Sequence, residues 1–186
     1  MVNRRLIQFL EDHGHLDHRQ HAFRPGHGTG TYFATLGQLL NDAKERGEHT
    51  EIATLDLSKA YNHTCTPNII KQLQDWGLSG HILAFVRKFL DNRTFEVCIG
   101  AHKSKICREE TGVPQGSVIA VTLFLVVMNG VFRNLPKDIY TFVYADDIVP
   151  VTVGRTPKAL RRKLKAAVNA VVRAQPDFNS PRKKAP

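Results

Sequence analysis

The chain has 186 residues, a length that suits one domain or a piece of a larger protein and excludes a multidomain enzyme. Apolar residues make up 42% and charged residues 23%, which excludes an intrinsically disordered chain. The formal net charge of +9 comes entirely from residues 155–186, which hold ten basic residues and one acid. Such a basic block indicates a polyanionic partner, nucleic acid before an anionic membrane surface, unless it only forms a solvated helix face.

The cysteines Cys65, Cys98 and Cys107 are odd in number and widely spaced, which argues against a disulfide framework and a CxxC metal site. A reducing, intracellular setting is therefore expected, with nucleus and cytoplasm left open. The first residues lack the apolar core of a signal peptide. Residues 111–132 carry no formal charge, but polar residues and Pro114 interrupt them, so they predict a buried helix and no membrane partner.

Hydrophobic periodicity predicts mostly helices in the first half of the chain. In chain order, it predicts helices over residues 3–12 and 31–46, a half-buried strand over 51–57, and helices over 67–76 and 81–90. The second of these helices is expected to turn four side chains inward, namely Phe33, Leu36, Leu39 and Leu40.

The second half predicts two strand pairs and two helices. Ser117 is a suitable N-cap for an apolar helix that runs toward Arg133. From Pro157 a basic helix begins, and its pattern gives way to a polar tail after Gln175. The strands are expected over residues 94–99 paired with 103–108, and over 139–145 paired with 148–153. The apolar stripe of the basic helix is expected to contain Leu160, Leu164, Ala167, Val168, Val171 and Val172.

Two adjacent aspartates, Asp146 and Asp147, are expected at the two-residue tip of the last strand pair. Like charges this close repel and usually need a cation, and a turn without a function would favour Asn-Gly or Asp-Gly. A third acid, Asp56, lies among apolar neighbours in the strand predicted over 51–57. If these strands are neighbours, three carboxylates meet at one sheet edge and suit two Mg²⁺ ions. The alternative is that they are turn acids and an incidental strand residue.

Four segments in this order resemble motifs of the reverse transcriptases of non-LTR retrotransposons. Residues 20–26 (QHAFRPG) resemble the QxGFRxG block, 55–61 (LDLSKAY) resemble motif A, 112–117 (GVPQGS) resemble motif B, and 144–147 (YADD) resemble motif C. The similarity covers roughly residues 4–172, nearly the whole chain. Each motif is weak by itself, and the four in order are specific.

The resemblance implies an α+β fold, a reverse-transcriptase-like palm with partial fingers, in which a small antiparallel sheet is backed by helices. Residues 1–50 would form a partial fingers region with the QxGFR-like block, and residues 51–154 a palm with motifs A, B and C. Residues 155–175 would form a basic helix packing on the palm, and residues 176–186 a polar, basic, disordered tail.

The resemblance also implies catalytic roles. Asp56 and Asp146 would ligate both of two Mg²⁺ ions, for which Mn²⁺ could substitute. The Leu57 carbonyl would assist as a metal ligand, and Asp147 would support the site from the adjacent position.

Further residues would contact the nucleotide or the template. Tyr61 would lie under the incoming sugar and exclude a 2′-hydroxyl group. Gln115 and Gly116 would line the nucleotide and template pocket, since glycine lets a base pair approach the backbone. Arg24 would contact the template or brace the fingers against the palm, and Lys59 would belong to the same set. For Arg24 and Lys59, an ordinary ion pair or a solvated side chain is the alternative.

The implied function is that of an RNA-directed DNA polymerase domain fragment, which transfers nucleotides from a dNTP to the 3′-hydroxyl of a DNA primer on an RNA template. The alternative is a catalytically inactive retroelement remnant that only binds nucleic acid. A third reading, an unrelated metal-dependent phosphotransferase, does not account for motif B.

Several positions depart from the family pattern and bear on activity. Asn62 stands where motif A usually has a second Asp, and Ala22 replaces the glycine of the QxGFR block. Gly130, expected inside a helix, costs about 1 kcal/mol relative to Ala. Pro150 removes a ladder donor from the last strand and is expected to be tolerable only on an edge. The family's upstream fingers hairpin and downstream thumb are not recognisable, which indicates a fragment or a decaying copy.

Overall fold

The computed structural model describes residues 1–57 and 60–179. The four helices predicted in the first half all form, with their ends within two residues of the predicted bounds. The helices are α1 (Val2–Asp12), α2 (Thr29–Glu45), α3 (Ala60–His63), α4 (Thr66–Asp75), α5 (Gly80–Leu90), α6 (Val118–Met128) and α7 (Pro157–Asn179), with a 3₁₀ turn at Val131–Asn134. The strands are β1 (His49–Ile52), β2 (Leu55–Asp56), β3 (Thr94–Phe95), β4 (Cys98–Ile99), β5 (His102–Lys103), β6 (Cys107–Arg108), β7 (Tyr140–Tyr144) and β8 (Asp147–Gly154).

Strand β8 is the centre of a four-stranded antiparallel sheet. On one side the whole of β7 pairs with residues 147–151 of β8, and Tyr144 at the end of β7 lies opposite Asp147. On the other side β1 and β2 follow one another, and β2 ends with Asp56 opposite the same Asp147. The strands that carry the predicted catalytic aspartates are therefore neighbours.

Pro150 lies in this central strand and not on an edge, contrary to the expectation from the sequence. Its carbonyl accepts a hydrogen bond from the Ala53 amide at 3.2 Å. Because both backbone groups of a strand residue point to the same side, the missing N–H of Pro150 also faces Ala53, and the return bond cannot form. The strand predicted over 51–57 divides into β1 and β2 at this point. Toward β7, Pro150 faces Thr141 in a pair that exchanges no hydrogen bonds, so that ladder is unaffected.

One face of the sheet packs on the main hydrophobic core, in which α6 is the most deeply buried helix. Phe124 of α6 is fully buried, and Val143 and Ile148 join this core from the sheet. The uncharged stretch over 111–132 thus contains a buried helix, as predicted. Within the described residues, no helix is both long enough and apolar enough to cross a membrane.

The other face of the sheet is covered by α2 through an aromatic contact. Tyr32 packs edge-on against Phe142 and Tyr144, with ring centroids 6.0 and 6.1 Å away. Phe33, which was expected to face inward, is 65% exposed, while Leu36 packs against the aromatic cluster as predicted. Successive helix residues differ by about 100° in direction, so only one of the two adjacent aromatic rings can face the sheet.

Residues 94–108 form the predicted hairpin, but as two short ladders, β3 with β6 and β4 with β5. Phe95 lies opposite Cys107, and Cys98 lies opposite Lys103. The return strand therefore contains one residue more than its partner between the two ladders, which is the arrangement of a β-bulge.

Two helix ends differ from the prediction. Helix α6 stops at Met128, so Gly130 lies between it and the 3₁₀ turn and not inside a helix. Helix α7 continues to Asn179, through the start of the predicted tail, whereas residues 180–186 lie outside the described residues. Of its predicted apolar stripe, Leu160, Ala167 and Val171 are buried and Leu164 and Val168 are half-buried, but Val172 is 54% exposed.

Candidate active site

Three aspartates meet at the end of the sheet where β2 stops and β8 begins. Asp56 and Asp147 are direct partners across the strands, and Asp146 precedes Asp147 in the chain. Hydrogen-bonding and non-hydrogen-bonding pairs alternate along an antiparallel ladder, and Ala53 with Pro150 is a hydrogen-bonding pair. The Asp56–Asp147 pair is therefore of the second kind, with Cα atoms about 4.5 Å apart and both side chains on the same face of the sheet.

The turn that carries Asp146 differs by one residue from the prediction. Asp146 and Asp147 were expected to form the tip together, but the two loop residues are Ala145 and Asp146, and Asp147 begins β8 opposite Tyr144. The shift moves Asp147 into the ladder beside Asp56. Ala145 has φ of 56°, a conformation that glycine adopts freely and alanine adopts at a cost.

The side chain of Gln20 holds this strained turn in place. Its Nε2 donates to the Ala145 carbonyl at 3.2 Å, and its Oε1 accepts from the Ala145 amide at 3.2 Å and from the Ala22 amide at 3.0 Å. Gln20 is only 2% exposed. In the sequence, Gln20 is only the first residue of the QxGFR-like block, and nothing in the local pattern predicts that it reaches a turn 125 residues away.

The backbone around Gln20 reinforces this contact. The His21 amide donates to the Val143 carbonyl at 2.8 Å, and the Val143 amide donates to the Arg19 carbonyl at 2.9 Å. These bonds add one parallel bridge, between Gln20 and Val143, to the open edge of β7. The QxGFR-like block and the YADD segment are thus one structural unit.

The electrostatics of the aspartates reflect their mutual proximity. The pKa of Asp147 is raised above its ordinary value by desolvation and by the charges of Asp146 and Asp56. Burial, with the charge of Asp146, raises the pKa of Tyr61 to about 12. Burial and Asp147 likewise raise the pKa of Tyr32. Negative charge therefore collects at this point, and among the described residues no cation lowers the pKa of Asp147.

The donor set suits a hard divalent cation held in an open site. Among the described residues, no three His, Cys, Asp or Glu side chains lie close enough together to hold a metal ion by themselves. Mg²⁺ is usually bound by one or two carboxylates and completes its octahedron with water and substrate phosphates. A pair of repelling carboxylates, Asp56 and Asp147, with Asp146 beside them, fits that manner of binding.

Two clefts lie near the aspartates, one at Tyr61, on which the charge of Asp146 acts, and one that includes Asp147. One, of about 240 Å³, is lined by Tyr61, Gln115 and Gly116 together with the first residues of α6. The ring of Tyr61 is stacked on Phe124 at 4.0 Å and 12°, so the core fixes its position. A second cleft, of about 320 Å³, lies on the α2 side and includes Asp147, with Thr29, Tyr32, Phe33, Thr54, Leu55, Tyr144 and Val149.

Motif B is positioned by direct backbone contact with the segment after motif A. The Gly112 amide donates to the Thr64 carbonyl at 2.7 Å, and the Val113 amide donates to the Tyr61 carbonyl at 3.0 Å. A Cβ on Gly112 would lie 2.9 Å from the carbonyl oxygens of Tyr61 and Asn62, and φ of Gly112 is +79°. The side chain of Asn62 accepts a hydrogen bond from Gln115 Nε2 at 2.8 Å, so this departure from the family pattern retains a link to motif B.

Of the remaining predicted site residues, Arg24 forms an ion pair within the N-terminal region, with partners that lie before residue 51. Its guanidinium forms a bidentate ion pair with Glu11 at 2.8 and 2.7 Å and also donates to the carbonyls of Asp17 and Gln20. Its side chain is 7% exposed, so in this structure it is not free to contact a template. The Leu57 carbonyl accepts from the Ala60 amide at 3.0 Å and keeps a second lone pair. Lys59 lies outside the described residues.

The chain is similar in sequence to known proteins along most of its length. The chain is 28% identical over 157 residues to the RNA-directed DNA polymerase from mobile element jockey of Drosophila melanogaster, which spans 81% of this chain and 17% of that protein. It is 28% identical over 156 residues to the Pol polyprotein from the type-1 retrotransposable element R2 of Nasonia vitripennis, which spans 79% of this chain and 15% of that protein. The chain thus spans about a sixth of the length of these relatives.

The fold has a counterpart among solved structures. Telomerase from Candida albicans, determined in complex with a fragment of telomeric RNA, superposes with a TM-score of 0.69 at 13% identity and covers 90% of this chain and 32% of that one. The family model described as reverse transcriptase (RNA-dependent DNA polymerase) matches residues 1–180. The chain therefore belongs to the reverse transcriptase family, and its relatives from the jockey and R2 elements place it with the non-LTR retrotransposon members.

Proposed function

We propose that this chain is part of an RNA-directed DNA polymerase that extends a DNA primer on an RNA template. The observation that carries the proposal is the pairing of Asp56 with Asp147 beside Asp146, whose charge acts on Tyr61 at the wall of a cleft. In the reaction, the primer 3′-oxygen forms a bond to the α-phosphorus of a dNTP. The bond between the α-phosphorus and the oxygen that bridges it to the β-phosphate breaks. Pyrophosphate leaves with that oxygen, and the proton of the primer hydroxyl passes to solvent.

The proposed division of the chain follows the motifs. Residues 1–50 contribute the partial fingers, and residues 51–154 contribute the palm with all three aspartates. Residues 155–175 pack on the palm as part of α7, which continues to Asn179, and residues 180–186 lie outside the described residues. This division is supported by the position of α2 on the sheet face that carries Asp147 and by the position of α7 on the opposite face.

Asp56 and Asp146, with the Leu57 carbonyl and Asp147, are the proposed ligands of two Mg²⁺ ions, or of Mn²⁺ in their place. When bound, such ions supply Lewis-acid stabilisation of the charge on the attacking and leaving oxygens. The residues of the chain hold the geometry: the ladder sets the separation of Asp56 and Asp147, and Gln20 sets the turn before Asp147. The raised pKa of Asp147 supports this assignment, because bound cations would relieve the repulsion that raises it.

Tyr61, Gln115 and Gly116 are the proposed nucleotide and template contacts. The stacking of Tyr61 on Phe124 supports a rigid wall that excludes a 2′-hydroxyl group. Gly116 has φ of 89° and open space where a Cβ would stand, which suits close approach of a base pair. Lys59 is proposed as a nucleotide or template contact because it lies within motif A, three residues after Asp56.

The experiment is primer extension on an RNA template with dNTPs and Mg²⁺, using the chain and two variants. Asp146→Asn is expected to abolish extension. Asp75→Asn, which neutralises an exposed acid at the end of α4, is expected to extend as the parent chain does. Circular dichroism establishes that each protein is folded. Extension by a folded Asp146→Asn variant would contradict the assigned role of the aspartates.

A second candidate function is nucleic-acid binding without synthesis. Two observations favour it: within the described residues no three potential ligands are grouped closely enough for a metal, and Pro150 interrupts the strand that carries Asp56. This candidate predicts no extension by the folded chain, together with binding of RNA that persists in EDTA and weakens steeply with salt. If this candidate is correct, polymerisation is carried out by longer relatives and not by this chain, and the family membership is unchanged.

A further inference from the structure

The cations of α7 separate into two groups. Arg161 is paired with Glu51 of β1 at 3.0 Å, and Lys163 is paired with Asp138 at 2.6 Å. Both cations therefore have partners within the chain, Arg161 in the sheet and Lys163 in the segment before β7. Their charges are partly neutralised where they lie.

The second group forms a line along the exposed side of the helix. Lys158, Arg162, Lys165, Asn169 and Arg173 recur at intervals of three or four residues, and all five are exposed. At about 100° and 1.5 Å per residue, they lie within an arc of about 80° and span about 22 Å. No acid in the described part of the chain forms an ion pair with these four cations. We call these five residues the basic stripe.

The basic stripe lies on the far side of the sheet from the aspartates. Thr152, which bonds to the Leu160 carbonyl of α7 at 3.4 Å, faces that helix. Asp147 is an odd number of residues away from Thr152 in β8 and therefore faces the other way, toward α2. The outward side of α7 is thus separated from the catalytic face by the sheet and by the helix itself.

We propose that the basic stripe binds the phosphate backbone of a nucleic-acid segment that is not the one in the catalytic cleft. A nucleic-acid duplex carries about one phosphate charge per 1.7 Å of its axis. A duplex segment about 22 Å long, the length of the basic stripe, therefore carries more phosphates than the stripe has cations. Every cation of the stripe can therefore find a partner without a particular sequence.

The apolar residues of α7 distinguish nucleic acid from a membrane surface. A helix that lies on a membrane inserts an apolar face beside its basic one. In α7 large apolar side chains pack into the core, where Leu160 is 3% and Val171 is 2% exposed. Only one exposed large apolar residue, Val172, is found in the described side chains of α7. Charge without insertable apolar surface matches a phosphate backbone.

The test is a binding titration in EDTA, so that it does not depend on the polymerase activity proposed above. The probe is a fluorescent single-stranded RNA of about 20 nucleotides, and the variant carries Lys158→Gln, Arg162→Gln, Lys165→Gln and Arg173→Gln. Each lost contact to a single strand lowers the slope of log K against log salt by about 0.7. Four contacts lower it by about 2.8, so the parent chain should lose about 50-fold more affinity than the variant between about 50 and 200 mM salt.

A matched control removes the same charge from scattered exposed positions, with Arg4→Gln, Lys44→Gln, Lys88→Gln and Lys137→Gln. This control is expected to keep most of the parent slope. In parallel, amine acetylation read by mass spectrometry should show RNA protecting Lys158 and Lys165 and not Lys44.

Three outcomes would overturn the proposal. The first is an equal loss of slope in the two quadruple variants, since binding would then follow net charge alone. The second is unchanged acetylation of Lys158 and Lys165 in the presence of RNA. The third is binding to vesicles of phosphatidylserine and phosphatidylcholine with none to RNA, which would assign the stripe to a membrane surface.

Discussion

Replacing Gln20 by Leu should destabilise the fold through the turn that carries Asp146. The substitution keeps the size of the side chain and removes three hydrogen bonds, two to Ala145 and one to the amide of Ala22. Ala22 is 0% and Ala145 is 9% exposed, so water cannot readily replace Gln20. At about 1 kcal/mol for each bond, and more for a buried group left unpaired, the expected loss in free energy of unfolding is about 3–4 kcal/mol.

The assay is urea unfolding followed by circular dichroism, with Gln38→Leu as the control. Gln38 bonds to Asp42 on an exposed face of α2, so its replacement should cost less than about 0.5 kcal/mol. A Gln20→Leu variant within about 0.5 kcal/mol of the parent would refute the reasoning, because the turn would then not depend on these bonds.

The isosteric change Gln20→Glu separates hydrogen bonding from packing. A carboxylate at this position would lack the donor to the Ala145 carbonyl and would place charge in a buried site near Asp146, so its folded pKa would be raised. A raised carboxyl pKa costs stability when the group is ionised, and that cost disappears as pH falls through the folded pKa. The deficit of Gln20→Glu relative to the parent should therefore shrink between about pH 7 and pH 4, while that of Gln20→Leu should stay constant.

Three further perturbations test other parts of the site. Gly112→Ala should lower the free energy of unfolding in urea by about 2–3 kcal/mol. Gly26→Ala, where φ is also positive but the space is open, should lower it by about 1 kcal/mol, and equal losses would contradict the role of close backbone approach at Gly112. Asp147→Asn should raise the melting temperature near neutral pH, because the pKa of Asp147 is raised and its ionisation opposes folding. The gain in melting temperature should vanish as pH falls toward the ordinary carboxyl pKa, and a gain at every pH would point to another cause. Arg24→Ala should lower the free energy of unfolding by about 3 kcal/mol because it leaves Glu11 unpaired, and a neutral result would argue against a stabilising ion pair.

The positions of the predicted aspartates could be inferred from the sequence because strand spacing and adjacent charges are local signals. The pattern of residues 51–57 and the YADD segment indicated strands that carry acids, and the ladder places Asp56 opposite Asp147. The spacing of apolar and polar residues could not predict which two residues form the loop of the β7–β8 hairpin. An Ala-Asp loop with positive φ at Ala145 is unfavourable locally and persists because Gln20 bonds to it, a contact that no local pattern contains.

The errors in the fold have the same origin. Pro150 is unfavourable inside a sheet, yet it lies in the central strand because its missing donor faces a break between β1 and β2 and not the β7 ladder. Phe33 and Tyr32 are both aromatic and adjacent, and the helical pattern does not decide between them. The rings of Phe142 and Tyr144, which lie more than one hundred residues further along the chain, are what receive Tyr32.

The site is thus held in place by residues remote in sequence from the acids that define it. Gln20 fixes the turn before Asp147, and the carbonyls of Tyr61 and Thr64 fix the start of motif B through Val113 and Gly112. Repulsion among the aspartates works against this geometry, since it raises the pKa of Asp147. A copy of this chain could therefore keep every aspartate and still lose the arrangement. For that reason, the segment around Gln20 is as informative about a competent site as the YADD segment is.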